Sequence, residues 1–91
     1  MLTIYKYNIA PIARQGIMLY EGAKILKVDT QYNLPKLWVL VDTSKPRKTL
    51  LVKIICTGEE ITKSLDGWQY IDTYQLNGGD FVHHVFIKWV D

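Results

Sequence analysis

The chain has 91 residues, 48% of them hydrophobic, and its eleven basic and nine acidic side chains give a formal net charge of +2. This length without a break in composition predicts one domain, residues 1–91, and the small charge lacks the dense basic footprint of a dedicated nucleic-acid binder, so we do not expect direct DNA binding. No stretch approaches the roughly 20 apolar residues that span a bilayer, and the start lacks a continuous apolar signal segment, so we expect a cytoplasmic protein without a membrane anchor.

Alternating apolar and polar residues, rich in Val, Ile, Thr, Tyr and Trp, predict β-strands through most of the chain. The first predicted strand runs from Thr3 to Ile9 and ends before Pro11. A short strand at Ile17 to Tyr20 leads through Glu21 and Gly22 into a third at Ala23 to Thr30. The turn "YNLP" follows, because Asn tolerates left-handed backbone and Pro fixes φ.

Two predicted strands in the middle of the chain are apolar on both faces. In the fourth strand Leu37, Val39 and Val41 form one stripe, and the opposite stripe carries Trp38 and Leu40. After the loop "TSKPRK", the run from Leu50 to Thr57 is again mostly apolar on both sides. Such a strand is central in its sheet, or lies between a core and an interface.

The pattern changes between Gly58 and Gly67. Thr57 and Glu60 have the spacing of a capping box, and Ile61 and Leu65 are four residues apart, so a short helix is expected at Glu59 to Leu65.

The last two strands, Trp68 to Leu76 and Phe81 to Val90, are joined by "NGGD", a strong hairpin signal. The sequence therefore predicts an all-β, mainly antiparallel domain. It would be a small β-sandwich or open barrel of six or seven strands with one short helix.

The two adjacent histidines, His83 and His84, raise the question of a metal site. Successive side chains on a strand point to opposite faces, so the two rings cannot converge on one ion unless a bulge intervenes. Cys56 is the only cysteine and has apolar neighbours, which predicts a buried thiol with a raised pKa. We expect no metal site and no cofactor, and we expect one of the histidines to be hydrogen-bonded in the core or at an interface.

No catalytic constellation is recognisable. Asp72 and Asp80 flank the last hairpin, but their spacing gives no sign of a shared pocket, and Asp80 is more simply a turn residue. Ser44 and Ser64 lie in polar loops without the context of a nucleophile. We therefore expect that the protein is not an enzyme.

The candidate binding residues are cationic or aromatic. Lys45, Arg47 and Lys48 form the densest basic spot, which can hold a phosphate or simply keep the loop in water. A chain this small cannot enclose all its aromatic side chains, which predicts an aromatic groove or interface. The full candidate set is Lys45, Arg47, Lys48, Trp38, Trp89 and His84.

Apolar residues on both faces of the strands Leu50 to Thr57 and Phe81 to Val90 predict self-association. The surplus apolar surface, including Trp89 and Trp38, needs a second surface to cover it, and a symmetric homodimer is the commonest one. A bound nucleotide would then lie beside that interface, with its base on aromatic rings and its phosphate near the basic loop. The alternative is a monomer whose apolar surface docks onto a host protein.

Five segments resemble, in order and spacing, a family of small phage- and prophage-encoded proteins of about this length: "TIYKY", "GAKIL", "LWVLVD", "TGEEI" and "YIDTYQLNGGDFVHHVF". The resemblance covers Thr3 to Phe86, and the chain departs from it at "KWVD". It implies a phage-related accessory protein in the host cell cytoplasm and supplies no catalytic residues.

By analogy with small phage accessory proteins, the leading hypothesis is a stoichiometric inhibitor of a host defence system. It would occupy an immune protein or nuclease, or sequester a signalling nucleotide. The alternative is a virion or assembly component. The least favoured is a small enzyme that uses His83 or His84 on a phosphorylated substrate.

Overall fold

The computed structural model describes residues 1–90, which form seven strands and one 3₁₀ turn. The elements in chain order are β1 (Leu2–Asn8), β2 (Arg14–Tyr20), β3 (Lys24–Gln31), β4 (Leu34–Asp42), β5 (Arg47–Cys56), β6 (Gln69–Leu76), the 3₁₀ turn (Asn77–Gly79) and β7 (Phe81–Trp89).

The strands form two antiparallel sheets. Sheet A has three strands in the order β1-β4-β3, and sheet B has four in the order β2-β5-β7-β6. Both strands predicted to be central, β4 and β5, have a neighbour on each side. The prediction of an all-β, mainly antiparallel fold with six or seven strands is confirmed, and the two sheets do not close into a barrel.

The core lies between the two sheets. Leu37, Val39 and Val41 face inward from β4, as their alternation predicted, and all three are buried. The inward stripe of sheet B is made by alternate residues of β5 and β7 together with one tyrosine of β6: Leu50, Val52, Ile54, Val85, Ile87 and Tyr74. Every strand therefore has one face that stabilises the fold and one that points away from it.

The two sheets are fastened together where β3 passes β6. The backbone N–H of Val28 donates to the Asp72 carboxylate at 3.3 Å. At the adjacent turns, the Asn33 side-chain amide donates to Asn77 Oδ1 at 2.6 Å, and the Asn77 backbone N–H donates to Asn33 Oδ1 at 2.8 Å. We call this reciprocal pair the asparagine clasp.

The predicted helix at Glu59 to Leu65 is wrong, because residues 57–68 form an irregular segment. Thr57, the expected N-cap residue, has another partner, and so does the neighbouring Glu59. The Thr57 hydroxyl is hydrogen-bonded to His84, and the Glu59 carboxylate accepts the backbone N–H of Cys56 at 3.0 Å. Gly58 and Gly67, with φ of 85° and 80°, turn the chain at both ends of this segment, which we call the covering segment.

Candidate functional site

The outer face of sheet A carries side chains of β1, β3 and β4 that point away from the core. In the cross-strand register Lys6, Trp38 and Lys27 form one row, so a lysine flanks each side of the indole. No residue of this outward stripe is fully buried. The face consists of Leu2, Ile4, Lys6, Asn8, Lys24, Lys27, Asp29, Gln31, Leu34, Lys36, Trp38, Leu40 and Asp42.

Positive charge dominates this face. Of its four lysines, Lys27 pairs with a carboxylate, that of Asp29 at 3.2 Å. Lys6 donates to the Gln31 side chain at 2.6 Å and Lys36 to the Asn8 side chain at 2.7 Å, and both acceptors are neutral. Among the described residues no carboxylate lies within 4.0 Å of either ammonium group, although Asp29 is the cross-strand partner of Lys36.

Asp42, at the margin of the same face, is held as a carboxylate. The Ser44 hydroxyl and backbone N–H both donate to it, and they lower its pKa to about 2, with a further contribution from the amino group of Met1.

The outer face of sheet B differs, because the covering segment lies across part of it. Ile55 points to this side, opposite His84, yet it is only 7% exposed. A pocket of about 230 Å³ lies between the sheet and the segment. Its walls come from Ala13, Arg14, Lys53, Ile54, Ile55, Glu59, Glu60, Ile61, Thr62, Lys63 and Leu65.

Two cations stand side by side at this pocket. Arg14 and Lys53 are direct cross-strand partners, and both contact the indole of Trp68. The Lys53 ammonium lies 4.5 Å and the Arg14 guanidinium carbon 5.7 Å from the ring centroid. Among the residues that the structure describes, no carboxylate lies within 4.0 Å of either cation.

His84 lies in a hydrogen-bonded chain on the same side of sheet B. Its Nε2 is 2.7 Å from the Thr57 hydroxyl, and its Nδ1 is 2.9 Å from the Thr73 hydroxyl, which is 2.6 Å from the Tyr70 hydroxyl. Both ring nitrogens are therefore engaged, and His84 fastens the start of the covering segment to β6 and β7.

His83 points the other way, into the core, where it is 7% exposed and its Nδ1 lies 2.9 Å from the Tyr74 hydroxyl. Burial raises the pKa of Tyr74 to about 12. The prediction that the two imidazoles lie on opposite faces, with one hydrogen-bonded in the core, is confirmed. Within residues 1–90, no three His, Cys, Asp or Glu side chains group closely enough to hold a metal ion.

The predicted basic spot is divided between two aromatic partners. The Arg47 guanidinium carbon lies 5.0 Å from the ring centroid of Tyr20, and the Lys48 ammonium lies 5.9 Å from that of Trp89. Lys45 is exposed in the β4–β5 turn.

Of the six predicted site residues, Lys48 and Trp89 thus form one contacting pair. Trp38 lies on the other sheet, and His84 lies in the hydroxyl chain described above. Whether any of the six binds a ligand stays a prediction.

The sequence interpretation missed Arg14 and Trp68 as partners of Lys53. Arg14 preceded the predicted start of its strand at Ile17, so its register opposite Lys53 was not visible. One feature of the sequence indicated a role for Lys53, because this lysine interrupts an otherwise apolar strand.

The prediction of a buried Cys56 is wrong. Cys56 is exposed, because it ends β5 where the chain leaves the sheet. The predicted direction of its pKa shift is confirmed: partial desolvation and the neighbouring Glu59 carboxylate raise the pKa of the thiol.

Comparisons with curated proteins and with solved structures found no match. No helix in the described part of the chain is long and apolar enough to cross a membrane. One family model matches the full sequence, residues 1–91, and its description is "Domain of unknown function (DUF7352)". The chain therefore belongs to the DUF7352 family.

Proposed function

We propose that this protein is a stoichiometric binding protein that docks the outer face of sheet A onto an acidic protein surface, and that its target is a host defence protein. The observation that carries the proposal is that exposed apolar side chains and lysines without a carboxylate within 4.0 Å lie together on one face.

Apolar side chains of this face adjoin one another, since Ile4 and Leu40 are direct cross-strand partners and Leu40 shares one stripe of β4 with Trp38. Leu2 is 70%, Ile4 56% and Leu34 53% exposed, and the half-buried Trp38 and Leu40 lie between them on β4. Contiguous apolar surface with a polar rim is typical of protein interaction sites. Trp38 is suited to be the anchor, because tryptophan is enriched among the residues that dominate interface energetics.

The charge selects the kind of partner. Lys6, Lys24 and Lys36 have no carboxylate partner among the described residues. A symmetric dimer through this face would bring together two surfaces that each carry four lysines and two aspartates, which is less favourable than pairing with an acidic surface. An acidic partner gains from the same arrangement. Single-stranded nucleic acid fits less well, because the apolar side chains here are mostly aliphatic and offer one ring for stacking.

The class of target rests on the sequence resemblance to small phage- and prophage-encoded proteins, many of which act by occupying host proteins. An inhibitor of this type needs only a complementary surface, and it can block its target without any reaction. A virion or assembly role would use the same face with a different partner, and it is an outcome of the experiment below.

The experiment is capture from host lysate with the wild-type chain, followed by reconstitution with the purified partner. Trp38→Asp and Lys24→Glu are the test variants, and Lys45→Glu, which makes the same charge change in the β4–β5 turn, is the control. We expect a one-to-one complex with an acidic host protein that inhibits its activity. Trp38→Asp should weaken the complex at least tenfold, whereas Lys45→Glu should leave it nearly unchanged.

Loss of the complex in Lys45→Glu with retention in Trp38→Asp would overturn the proposal, and so would capture of virion proteins alone. Light scattering at micromolar concentration tests the homodimer predicted from the sequence. A dimer that dissociates in Trp38→Asp would show that this face binds a second copy instead.

A further inference from the structure

We propose that the pocket between the covering segment and sheet B binds a mononucleotide, with its phosphate between Arg14 and Lys53. This site lies on the opposite side of the molecule from the docking face. It also differs from the phosphate position predicted at the basic loop.

The two cations of the pocket lie in an unfavourable position relative to each other. Like charges directly opposite each other on neighbouring strands destabilise a sheet. Arg14 and Lys53 occupy such a pair, and the described residues supply no carboxylate within 4.0 Å to neutralise them. An anion held between them would remove the repulsion. Lys63 adds a third cation to the wall, which also carries the carboxylates of Glu59 and Glu60, so the anion is expected at the Arg14 and Lys53 pair itself.

Trp68 holds the cations in place without neutralising them. The face of an indole attracts an ammonium or guanidinium group through its quadrupole, and it supplies no formal charge. Lys53 lies 4.5 Å and Arg14 5.7 Å from the ring centroid, so the same indole positions both side chains at the edge of the pocket that they line. Their N–H donors stay available, and Arg can bind phosphate oxygens through two parallel hydrogen bonds.

The remaining walls indicate what the phosphate is attached to. Ile55, Ile61 and Leu65 give apolar surfaces that a flat ring can contact. Glu60, on the covering segment, makes no hydrogen bond or ion pair with the other described residues. A free carboxylate is a suitable acceptor for the N–H groups on the edge of a nucleobase. Cations for an anionic group and a carboxylate for N–H donors, in one pocket, fit a nucleotide.

The size of the pocket limits the ligand. Its volume of about 230 Å³ lies below the 300–1,000 Å³ that is usual for drug-sized ligands. A dinucleotide or a larger cofactor is therefore too large, and a mononucleotide would fill the pocket and extend from its open side into solvent.

The test is isothermal titration of the full chain with the four ribonucleoside monophosphates, the matching nucleosides and inorganic phosphate. The variants are Arg14→Gln, Lys53→Gln, their double and Lys53→Arg. The matched control is Lys24→Gln with Lys36→Gln, which removes the same charge from sheet A. Proton–nitrogen NMR spectra confirm that each variant is folded, and the indole N–H of Trp68 reports occupancy of the site.

We expect saturable one-to-one binding of at least one nucleotide, with a shift of the Trp68 indole signal. The double variant should weaken it at least tenfold, which corresponds to about 1.4 kcal/mol. Lys53→Arg keeps the positive charge and should weaken binding less than Lys53→Gln does, and the sheet A control should bind the nucleotide as the wild type does.

Three results would overturn the assignment. The first is no saturable binding of any of the four nucleotides up to millimolar concentration. The second is a nucleoside or inorganic phosphate that binds as tightly as the nucleotide. Equal affinity for the nucleoside would mean that the phosphate does not contribute to binding, and equal affinity for inorganic phosphate would mean that the base does not. The third is equal weakening in the sheet A control.

Discussion

The outer faces of the two sheets have the same sequence pattern, but one is partly covered by the chain and the other is exposed. β4 and β5 are both central strands, and both are apolar on two sides. On sheet B the chain supplies its own cover, so that Ile55 is buried beneath residues 57–68. On sheet A nothing from the described chain covers Trp38 and Leu40, and their neighbours Leu2 and Ile4 are exposed.

A strand that is apolar on both sides therefore does not by itself predict what covers its second face. In sheet B the answer is a loop, which also creates a pocket. In sheet A the face stays exposed, and the proposal above assigns it to an acidic partner. On that proposal the same pattern contributes to stability in one sheet and to recognition in the other.

The largest expected effect contrasts one residue from each outer face. Ile55→Ala should lower the free energy of unfolding by about 2–4 kcal/mol, because it removes buried methyl groups beneath the covering segment. Leu40→Ala on the bare face should cost less than about 1 kcal/mol. Urea unfolding followed by tryptophan fluorescence measures both. Equal losses would mean that the two faces are equally covered in solution.

The second contrast concerns the hairpin turns of the two sheets. In sheet B, Gly78 and Gly79 have φ of 66° and 104°, so the double change to Ala should cost about 2 kcal/mol or more. In sheet A the exposed Tyr32 occupies φ of 54°, which strains a bulky residue. Tyr32→Gly should therefore leave the stability unchanged or raise it by up to about 1 kcal/mol. Thermal melts measure both variants. If the protein with Ala at positions 78 and 79 melts at the same temperature as the wild type, the turn geometry is wrong.

The smallest expected effect is at the asparagine clasp, which joins the turns of the two sheets. Asn33→Gly keeps the left-handed backbone, with φ of 60°, and removes both hydrogen bonds to Asn77, so it should cost about 1 kcal/mol. Asn33→Asp retains an acceptor for the Asn77 N–H and should lose less. If Asn33→Gly and wild type unfold at the same urea concentration, the clasp contributes nothing measurable.

Most of the fold was predictable, because period-two alternation and turn residues act locally. The strands around Leu37 to Val41 and the "NGGD" turn follow from those signals alone. The helix at Glu59 to Leu65 was mispredicted because a tertiary contact engages Thr57, the expected N-cap residue. Thr57 is hydrogen-bonded to His84, 27 residues further along the chain, and a local sequence pattern cannot predict such a distant partner.

The candidate sites were less predictable, since both depend on register. The opposite orientations of His83 and His84 could be deduced from strand geometry. The row of Lys6, Trp38 and Lys27 brings together three strands, and the pair of Arg14 and Lys53 brings together two. The basic loop, by contrast, is dense in sequence, and the fold then turns Arg47 toward Tyr20 and Lys48 toward Trp89.

The most direct test of the account is methyl NMR of the chain titrated with the purified captured partner. Ile4 and Leu40 report on the bare face of sheet A, and Ile55 and Ile61 report on the covered side of sheet B. We predict that the methyl signals of Ile4 and Leu40 shift or broaden while those of Ile55 and Ile61 stay in place. Perturbation of Ile55 and Ile61 with Ile4 and Leu40 unchanged would contradict the assignment of sheet A as the docking face.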